Sequence, residues 1–233
     1  MSFDAHVFWA ALFSWPIFDG ALISLALTIA SHAVGIVLGL FLALLGAARA
    51  RPPRVFAKIY IWLFRGAPTL LQLLFVWNAL PQLLPVFRQH WFTPFLAAWL
   101  ALSLNEAAYQ AEISRAALAS VPREQRDAGL ALGLSRAQCF RLVLLPQAIR
   151  VAIPPTANEF ITLLKVTSLA SVISLQELLA VTTREISVTF RFTELYTVAL
   201  IYYLAIVSAL MLGQSWLERH FGAGQATTRH THG

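Results

Sequence analysis

Charged side chains inside long apolar stretches are the residues of this sequence best placed to do chemistry. Arg65 interrupts the apolar run that begins near Val55, and Glu159 and Lys165 lie in another that ends near Ser174. A charge at the depth of a bilayer costs about 2.5–3.5 kcal/mol or more, so such residues are kept mainly for function. Arg65 and Glu159 could bind groups of opposite charge. A structural pair inside the helical bundle is the alternative for both, and Lys165 could instead extend its ammonium towards the outer face.

Four further ionisable residues in apolar stretches have simpler interpretations. Glu112 and Arg115 are three residues apart on one helical face, which predicts an ion pair. We expect His32 to be a hydrogen-bonded packing residue rather than a ligand. For Glu106, a packing role and a role in a pathway are both open. No nucleophile with a base and no paired metal ligands stand at one depth, which argues against a membrane-embedded enzyme or a metal site.

The backbone beside Arg65 is expected to be irregular. Gly66 and Pro68 follow it directly, and both residue types disfavour a continuous helix. Unpaired backbone groups at membrane depth are tolerated only beside a cavity or packed protein. This break is therefore a second candidate feature of a polar pathway.

The composition places these residues in an integral membrane protein. Of 233 residues, 58% are hydrophobic and 12% are charged, which is about half the charged fraction of a soluble domain. The net charge of +6 does not indicate nucleic-acid binding, because the basic residues lie in short connections between apolar runs. Neither of the two lysines, Lys58 and Lys165, follows the glycine pattern of a phosphate-binding loop, so the chain is not its own ATPase of that type. The single cysteine, Cys139, is interpreted as a packing residue.

Five segments are long enough to cross the ~30 Å hydrocarbon core, which takes about 20 helical residues. The predicted spans are 21–45, 55–84, 92–118, 152–174 and 195–212. We expect Pro154 and Pro155 to open the fourth span, where a missing N–H costs little. Residues 1–19 lack a positively charged region, so they are not a signal peptide. We interpret them as a short interfacial segment that Pro16 interrupts and Asp19 ends.

The distribution of basic residues predicts the orientation. Most of them lie in the first connection, the third connection and the C-terminal tail, whereas the opposite side carries only Arg88, Arg184 and Arg191. Positively charged loops stay in the cytoplasm. We therefore expect a periplasmic N-terminus, a cytoplasmic C-terminus and a long cytoplasmic loop at residues 119–150. Residues 222–233 are expected to be a disordered cytoplasmic tail.

This cytoplasmic loop contains its own helix signals. A short helix is predicted at residues 123–132, with Gly133 as its C-terminal cap. Ser135 is a good N-cap for a second helix at residues 136–145, which Pro146 should end. Two short helices held off the membrane would form a rigid knob. The knob is either an ordinary connection or a docking element for another protein.

The spacing of residues in this loop resembles the EAA loop of ABC importer permeases. That motif runs Glu-Ala-Ala, three residues, Gly, nine residues, Ile-x-Leu-Pro. In this chain Asp127 and Gly129 depart from the motif, but Gly133 and Pro146 keep its spacing. The family's loop holds the coupling helix, which inserts into a groove of the ATPase subunit. The resemblance thus implies an ATPase-coupling role for Asp127, Ala128, Gly129, Gly133, Leu134, Leu145 and Pro146.

Three further segments resemble the polar amino-acid subfamily of these permeases. Residues 64–72 resemble FRGTPxxxQ, 108–115 resemble AYxAEIxR, and 158–169 resemble NEFIxLLKDTSL. The resemblance covers about residues 20–221 and implies an all-α integral membrane domain of the type I ABC importer class, with about five transmembrane helices. It implies a permease that forms the pathway for a polar amino acid or related derivative. The implied pathway residues are Arg65, Gly66, Pro68, Gln72, Glu159, Thr162 and Lys165.

The same resemblance implies the partners. These are a dimeric ATP-binding subunit, a second permease chain that is identical or paralogous, a periplasmic solute-binding protein and the lipid of the bacterial inner membrane. ATP and Mg²⁺ would be bound by the ATPase, and no cofactor by this chain. A stand-alone secondary carrier or channel is the alternative. The coupling-type loop argues against it, as do five spans that cannot form two equal inverted repeats.

One departure from the family leads to an expectation about substrate charge. Val166 stands where the family usually has Asp. Glu159 and position 166 are seven residues apart and share a helical face. With one carboxylate on that face, we expect neutral or acidic substrates to be preferred over arginine or lysine, unless a paralogous partner supplies the second carboxylate.

Overall fold

Proline positions and close glycine contacts set the helix starts and the packing of this chain. The computed structural model describes residues 3–221, and all regular structure in that range is helical. The helices are α1 (Ala5–Leu12), α2 (Trp15–Gly46), α3 (Arg51–Gly66), α4 (Thr69–Leu74), α5 (Leu80–Leu83), α6 (Pro94–Ser120), α7 (Arg123–Ala131), α8 (Arg136–Cys139), α9 (Leu145–Val166), α10 (Leu178–Thr189) and α11 (Phe192–Phe221). Wider π-helical turns join α4 to α5 at Phe75–Ala79 and α8 to α9 at Phe140–Leu144, and 3-10 turns lie at Pro85–Arg88 and Thr167–Ile173.

Two described helices are long and apolar enough to cross a membrane alone, Trp15–Gly46 and Phe192–Leu217. Two bent pairs would raise the number to four if each pair is one span. Arg51–Gly66 and Thr69–Leu83 meet at 103°, and Arg136–Ile173 and Leu178–Thr189 meet at 48°. The predicted span at 92–118 corresponds to α6, whose 27 residues make about 40 Å of helix. α6 is not among the apolar helices, so the count of five spans stays a prediction.

The centre of the fold is the contact between α2 and α6. A β-carbon added at Gly35 would lie 2.3 Å from Cγ of Glu106, and one at Gly39 would lie 2.5 Å from Cβ of Gln110. Only glycine permits this approach. Small residues four apart are a common way for membrane helices to pack closely. The pair thus brings the polar middle of α6 against α2.

Apolar clusters on either side of this contact hold the remaining helices. One includes Leu27, Leu73, Leu102 and Leu163, and joins α2, α4, α6 and α9. A second joins α1, α10 and α11 to the start of α2, with Ile17 and Leu178 buried. A smaller cluster packs Ala57 of α3 against α2 and α6. Each cluster joins elements that are distant in sequence.

The boundary between the N-terminal segment and the first span is earlier than predicted. Pro16 does not interrupt an interfacial helix; it lies in the first turn of α2, where its missing N–H has no helical partner. Asp19 lies within α2 and does not end a helix. The short helix before it is α1, capped by the Asp4 carboxylate, which accepts from the amides of His6 and Val7. The predicted tail, residues 222–233, lies outside the described residues.

The prolines of the fourth span also act differently from the prediction. Pro146 does not end a helix. The Leu145 amide bonds to the Phe140 carbonyl five residues back, and this wider turn lets the chain continue through Pro146 into α9. Pro154 and Pro155 consequently lie inside α9 rather than at its start. The predicted end of this span, near Ser174, is close to the observed one. The chain continues beyond α9 as a 3-10 turn to Ile173, and Ser174 then adopts a left-handed conformation with φ of 65°.

Helix α10 follows and was not predicted. Its N-cap, Glu177, is fully buried, and its carboxylate accepts from the amides of Leu179 and Ala180. The same carboxylate accepts from the hydroxyls of Ser24 and Tyr203, both at 3.3 Å. One capping residue therefore ties α10 to α2 and α11.

Candidate functional site

The break between α3 and α4 is held by amide side chains. Nε2 of Gln72 donates to the carbonyls of Phe64 and Ala67, both at 2.9 Å. Nδ2 of Asn105, on α6, donates to the Phe64 carbonyl at 3.0 Å and to Oε1 of Gln72 at 3.1 Å. Two of the carbonyls that the break leaves without helical partners are thereby satisfied. Gln72, predicted to lie in the pathway, is bound to the backbone of the break, and Gly66 has open space beside its α-carbon.

Arg65 lies at the end of α3, directly before this break. Its Nη1 is 3.9 Å from Oε2 of Glu112, and its guanidinium lies 5.3 Å from the ring centroid of Tyr109. Glu112 makes a closer pair with Arg115, at 2.7 Å, as predicted from their spacing. Two guanidiniums thus share one carboxylate. The Arg65 side chain is 44% exposed, and Glu112 is its one ion-pair partner among the described residues, which leaves guanidinium donors available to another anion.

Glu159 lies on α9, half-buried, and is within electrostatic range of Arg65, His32 and Glu106. Among the described residues its carboxylate has no hydrogen bond or ion pair, so Arg65 and Glu159 do not pair with each other. A half-buried carboxylate without a partner is costly unless a ligand or water satisfies it. The arrangement leaves a positively charged hydrogen-bond donor, Arg65, and a negatively charged acceptor, Glu159, at separate places in the bundle.

The remaining predicted pathway residues are Thr162, Lys165 and Pro68. Thr162 is half-buried, and its hydroxyl donates to the Asn158 carbonyl on its own helix at 3.1 Å. Lys165 and Pro68 are exposed. Val166 packs against the apolar cluster of α2, α4 and α6. Position 166 is therefore part of a packed apolar surface, and the expectation about substrate charge stays a prediction.

A buried chain of hydrogen bonds crosses three helices beside Glu159. Oε1 of Glu106, which is 1% exposed, accepts from Nδ1 of His32 at 2.8 Å and from Nε2 of Gln110 at 2.9 Å. Oε1 of Gln110 accepts from the Thr156 hydroxyl at 3.1 Å. The prediction that His32 is a hydrogen-bonded packing residue is confirmed. Of the two roles left open for Glu106, the structure shows packing, because its carboxylate joins α2 and α6.

The predicted cytoplasmic knob has well-defined local structure. Gly133 has φ of +85°, which confirms it as the cap of α7. Its amide donates to the Leu130 carbonyl, and the Leu134 amide donates to the Gly129 carbonyl, the pair of bonds of a Schellman motif. Ser135 then begins α8 with a reciprocal capping box to Gln138. The knob is thus rigid because of backbone bonds rather than a large core.

The departure from the family at Gly129 has a packing reason. A β-carbon there would lie 3.0 Å from Sγ of Cys139, which is itself buried against the knob, as predicted. Asp127 and Ala128 on the same helix are exposed, and Leu132 is 85% exposed. The outer surface of α7 is therefore open for contact, whereas Gly129 is buried on its inner side, close to Leu134. Leu145 lines a cavity with residues of α2 and α6.

Sequence reasoning located the exposed charges and the knob but missed the residues that organise the interior. These are Asn105, Gln110, Thr156 and Glu177. The available signal was the spacing of Glu106 and Gln110, four residues apart on one helical face. That spacing identifies a polar face of α6 but does not identify its partners.

Comparison with known proteins identifies the family. Residues 35–222 match the model of the binding-protein-dependent transport system inner membrane component. The chain is similar to the arginine transport system permease protein ArgU of Corynebacterium glutamicum, with 38% identity over 93% of this chain and 72% of that protein. It is also similar to the glutamine transport system permease protein GlnP of Escherichia coli, with 36% identity over 94% of this chain and 98% of that protein.

A solved structure gives the same result for the fold. One chain of the crystal structure of an amino acid ABC transporter with histidines superposes with a TM-score of 0.84 and 33% identity, over 94% of this chain and 100% of that chain. The likeness supports an ABC importer subunit over a stand-alone carrier, and such a permease functions with an ATP-binding subunit. The predicted all-α membrane fold of the type I importer class is confirmed. The chain belongs to the inner-membrane components of binding-protein-dependent transport systems, and is a permease subunit of an ABC transporter rather than an enzyme.

Proposed function

We propose that this permease imports a polar amino acid or a related derivative across the bacterial inner membrane, using ATP hydrolysed by its partner. Two relatives are named for arginine and glutamine, and the solved relative is named for an amino acid. Such a substrate carries an α-carboxylate and an α-ammonium. The exposed guanidinium of Arg65 and the carboxylate of Glu159, which no described residue pairs with, have complementary charges.

The proposed pathway lies beside the break between α3 and α4. Arg65, Gly66 and Pro68 would present the guanidinium and open backbone on one side, and Glu159 with Thr162 would present oxygens from α9. Lys165 would lie towards the outer end. Gln72 would act indirectly, because its amide fixes the carbonyls of the break. A second permease chain, identical or paralogous, would complete the enclosure.

The observation that carries the coupling proposal is the capped, exposed knob at α7. We propose that it contacts the ATPase dimer, with Asp127 and Ala128 on the contact surface and Gly129, Gly133, Leu134, Leu145 and Pro146 setting its shape. ATP and Mg²⁺ would lie on that partner. The knob, together with the basic connection after α2, would lie in the cytoplasm, with the N-terminus facing the periplasm and a solute-binding protein there.

The shape of the knob can be tested at its left-handed residue. Gly133→Leu should disturb the cap, because a left-handed conformation costs an L-residue about 1–2 kcal/mol. We expect uptake by the reconstituted complex to fall to near background while the chain still inserts. Gly133→Asn is the matched control, because Asn tolerates this conformation, and it should retain most uptake. Normal uptake by the Leu variant at normal protein level would contradict the proposal.

A further inference from the structure

A basic cavity lies where the turn after α2 meets the knob. Its volume is about 360 Å³, within the ~300–1,000 Å³ range of small-molecule sites. Three guanidiniums and three apolar side chains line it: Arg49, Arg126, Arg136, Leu130, Phe140 and Leu144. The proposed pathway and the contact surface of α7 do not account for this combination.

Local structure fixes the backbone at each arginine. Arg54 donates to the carbonyls of Ala48 and Arg49, at 2.9 to 3.1 Å, and so fixes the turn that carries Arg49. Arg136 is the first residue of α8, whose start is set by the capping box of Ser135. The Arg126 carbonyl accepts from Sγ of Cys139 at 3.4 Å. The backbone that carries the three arginines is therefore fixed, while their side chains are exposed to a ligand.

The described residues do not balance the charge of the cavity. Arg126 lies 3.7 Å from Oδ1 of Asp127. Within residues 3–221, neither Arg49 nor Arg136 has an ion-pair partner. Three positive charges thus meet one exposed carboxylate. Guanidinium forks match the oxygens of phosphate groups, which they bind with two parallel hydrogen bonds.

We propose that this cavity binds the phosphate headgroup of an anionic phospholipid from the cytoplasmic leaflet. Arg49 follows three residues after Gly46, the end of a helix long enough to span the membrane, so the cavity opens at the level of the headgroups. Leu130, Phe140 and Leu144 provide an apolar wall for the glycerol and upper acyl region. Basic pockets on the cytoplasmic side of membrane proteins suit such lipids. This inference rests on the proposed orientation.

The lipid would link the membrane surface to the coupling element, because Arg49 belongs to the turn after α2 and Arg126 and Arg136 belong to the knob. An acidic segment of the ATPase subunit and a free phosphate ion are the competing occupants. The lipid is favoured because one of the three arginines belongs to the membrane-proximal turn and not to the knob.

The test uses the purified complex containing the full chain, exchanged into nanodiscs of phosphatidylcholine with phosphatidylglycerol. Native mass spectrometry counts the phosphatidylglycerol molecules that remain bound. We expect the wild type to enrich this lipid. The double variant Arg49→Gln/Arg136→Gln should bind it about thirtyfold more weakly, the equivalent of about 1 kcal/mol for each basic residue. Arg141→Gln, in the same connection but outside the cavity, is the matched control and should behave as wild type.

Four outcomes would overturn the lipid site. The first is equal retention of phosphatidylcholine and phosphatidylglycerol by the wild type, and the second is equal retention of phosphatidylglycerol by the double variant and Arg141→Gln. The third is binding of inorganic phosphate without lipid enrichment. The fourth is a double variant that loses the ATPase subunit rather than the lipid. Arg49→Lys/Arg136→Lys should recover part of the binding, which separates charge from folding. Accessibility labelling of an Arg123→Cys variant reports the orientation independently, so failure of the lipid site and failure of the orientation are distinguishable.

Discussion

Glu106 and Glu159 are two carboxylates of the same helical bundle with opposite surroundings. Glu106 is 1% exposed and accepts hydrogen bonds from His32 and Gln110 on α2 and α6. Glu159 is half-buried and, among the described residues, accepts none. The first carboxylate is satisfied by the protein itself, whereas the second remains available to a ligand. Burial together with pairing, rather than charge alone, separates the structural residue from the candidate pathway residue.

The largest expected effect comes from removing the paired carboxylate. Glu106→Leu leaves the donors of His32 and Gln110 unsatisfied inside the bundle, at about 1–3 kcal/mol for each group. We expect a clear fall in the melting temperature of the purified complex and in the amount of inserted chain. Glu106→Gln, which keeps an acceptor oxygen, should be milder. A Glu106→Leu variant as stable as wild type would remove the distinction between the two glutamates.

A smaller effect is expected at the break. Gln72→Leu removes the amide that satisfies the Phe64 and Ala67 carbonyls, while Asn105 still reaches the first of them. One orphaned carbonyl should cost about 1–3 kcal/mol, seen as a lower melting temperature. Thr162→Val, which removes only a bond within its own helix, is the comparison variant and should change stability by less. If Gln72→Leu abolishes uptake at unchanged stability, the amide contacts the substrate directly and does not act by holding the break.

The smallest effect on stability is expected at Glu159. Glu159→Gln removes a half-buried charge that no described residue pairs with, so stability should not fall. Uptake should nevertheless fall several-fold, because the substrate ammonium loses its counter-charge. Glu185→Gln, at an exposed glutamate of α10, should leave uptake unchanged. Reduced protein abundance with normal uptake per molecule would identify Glu159 as structural.

The features that the sequence predicted well depend on local chemistry. The cap at Gly133 and the N-cap at Ser135 follow from the conformational preferences of single residues, and both are confirmed. Proline was less informative. Pro16 and Pro146 each occupy a first helical turn, yet a proline in a sequence is equally consistent with the end of the preceding helix.

The interior could not be predicted because its contacts are distant in sequence. Glu106 and His32 are 74 residues apart, and Ser24 and Glu177 are 153 apart. Which polar residues meet depends on the close approach of α2 and α6 at Gly35 and Gly39. A list of ionisable residues therefore contains both structural and pathway candidates, and only their packing separates them.

Coupling through the knob is the central claim, and cross-linking tests it most directly. In a Cys139→Ala background, a cysteine replaces either Ala128 on the knob or Thr189 at the end of α10, both exposed positions. The account predicts that Ala128→Cys cross-links to the ATPase subunit in the assembled complex and that the yield changes when ATP is added. Thr189→Cys should give no such product. A cross-link from Thr189→Cys and none from Ala128→Cys would contradict both the coupling role and the proposed orientation.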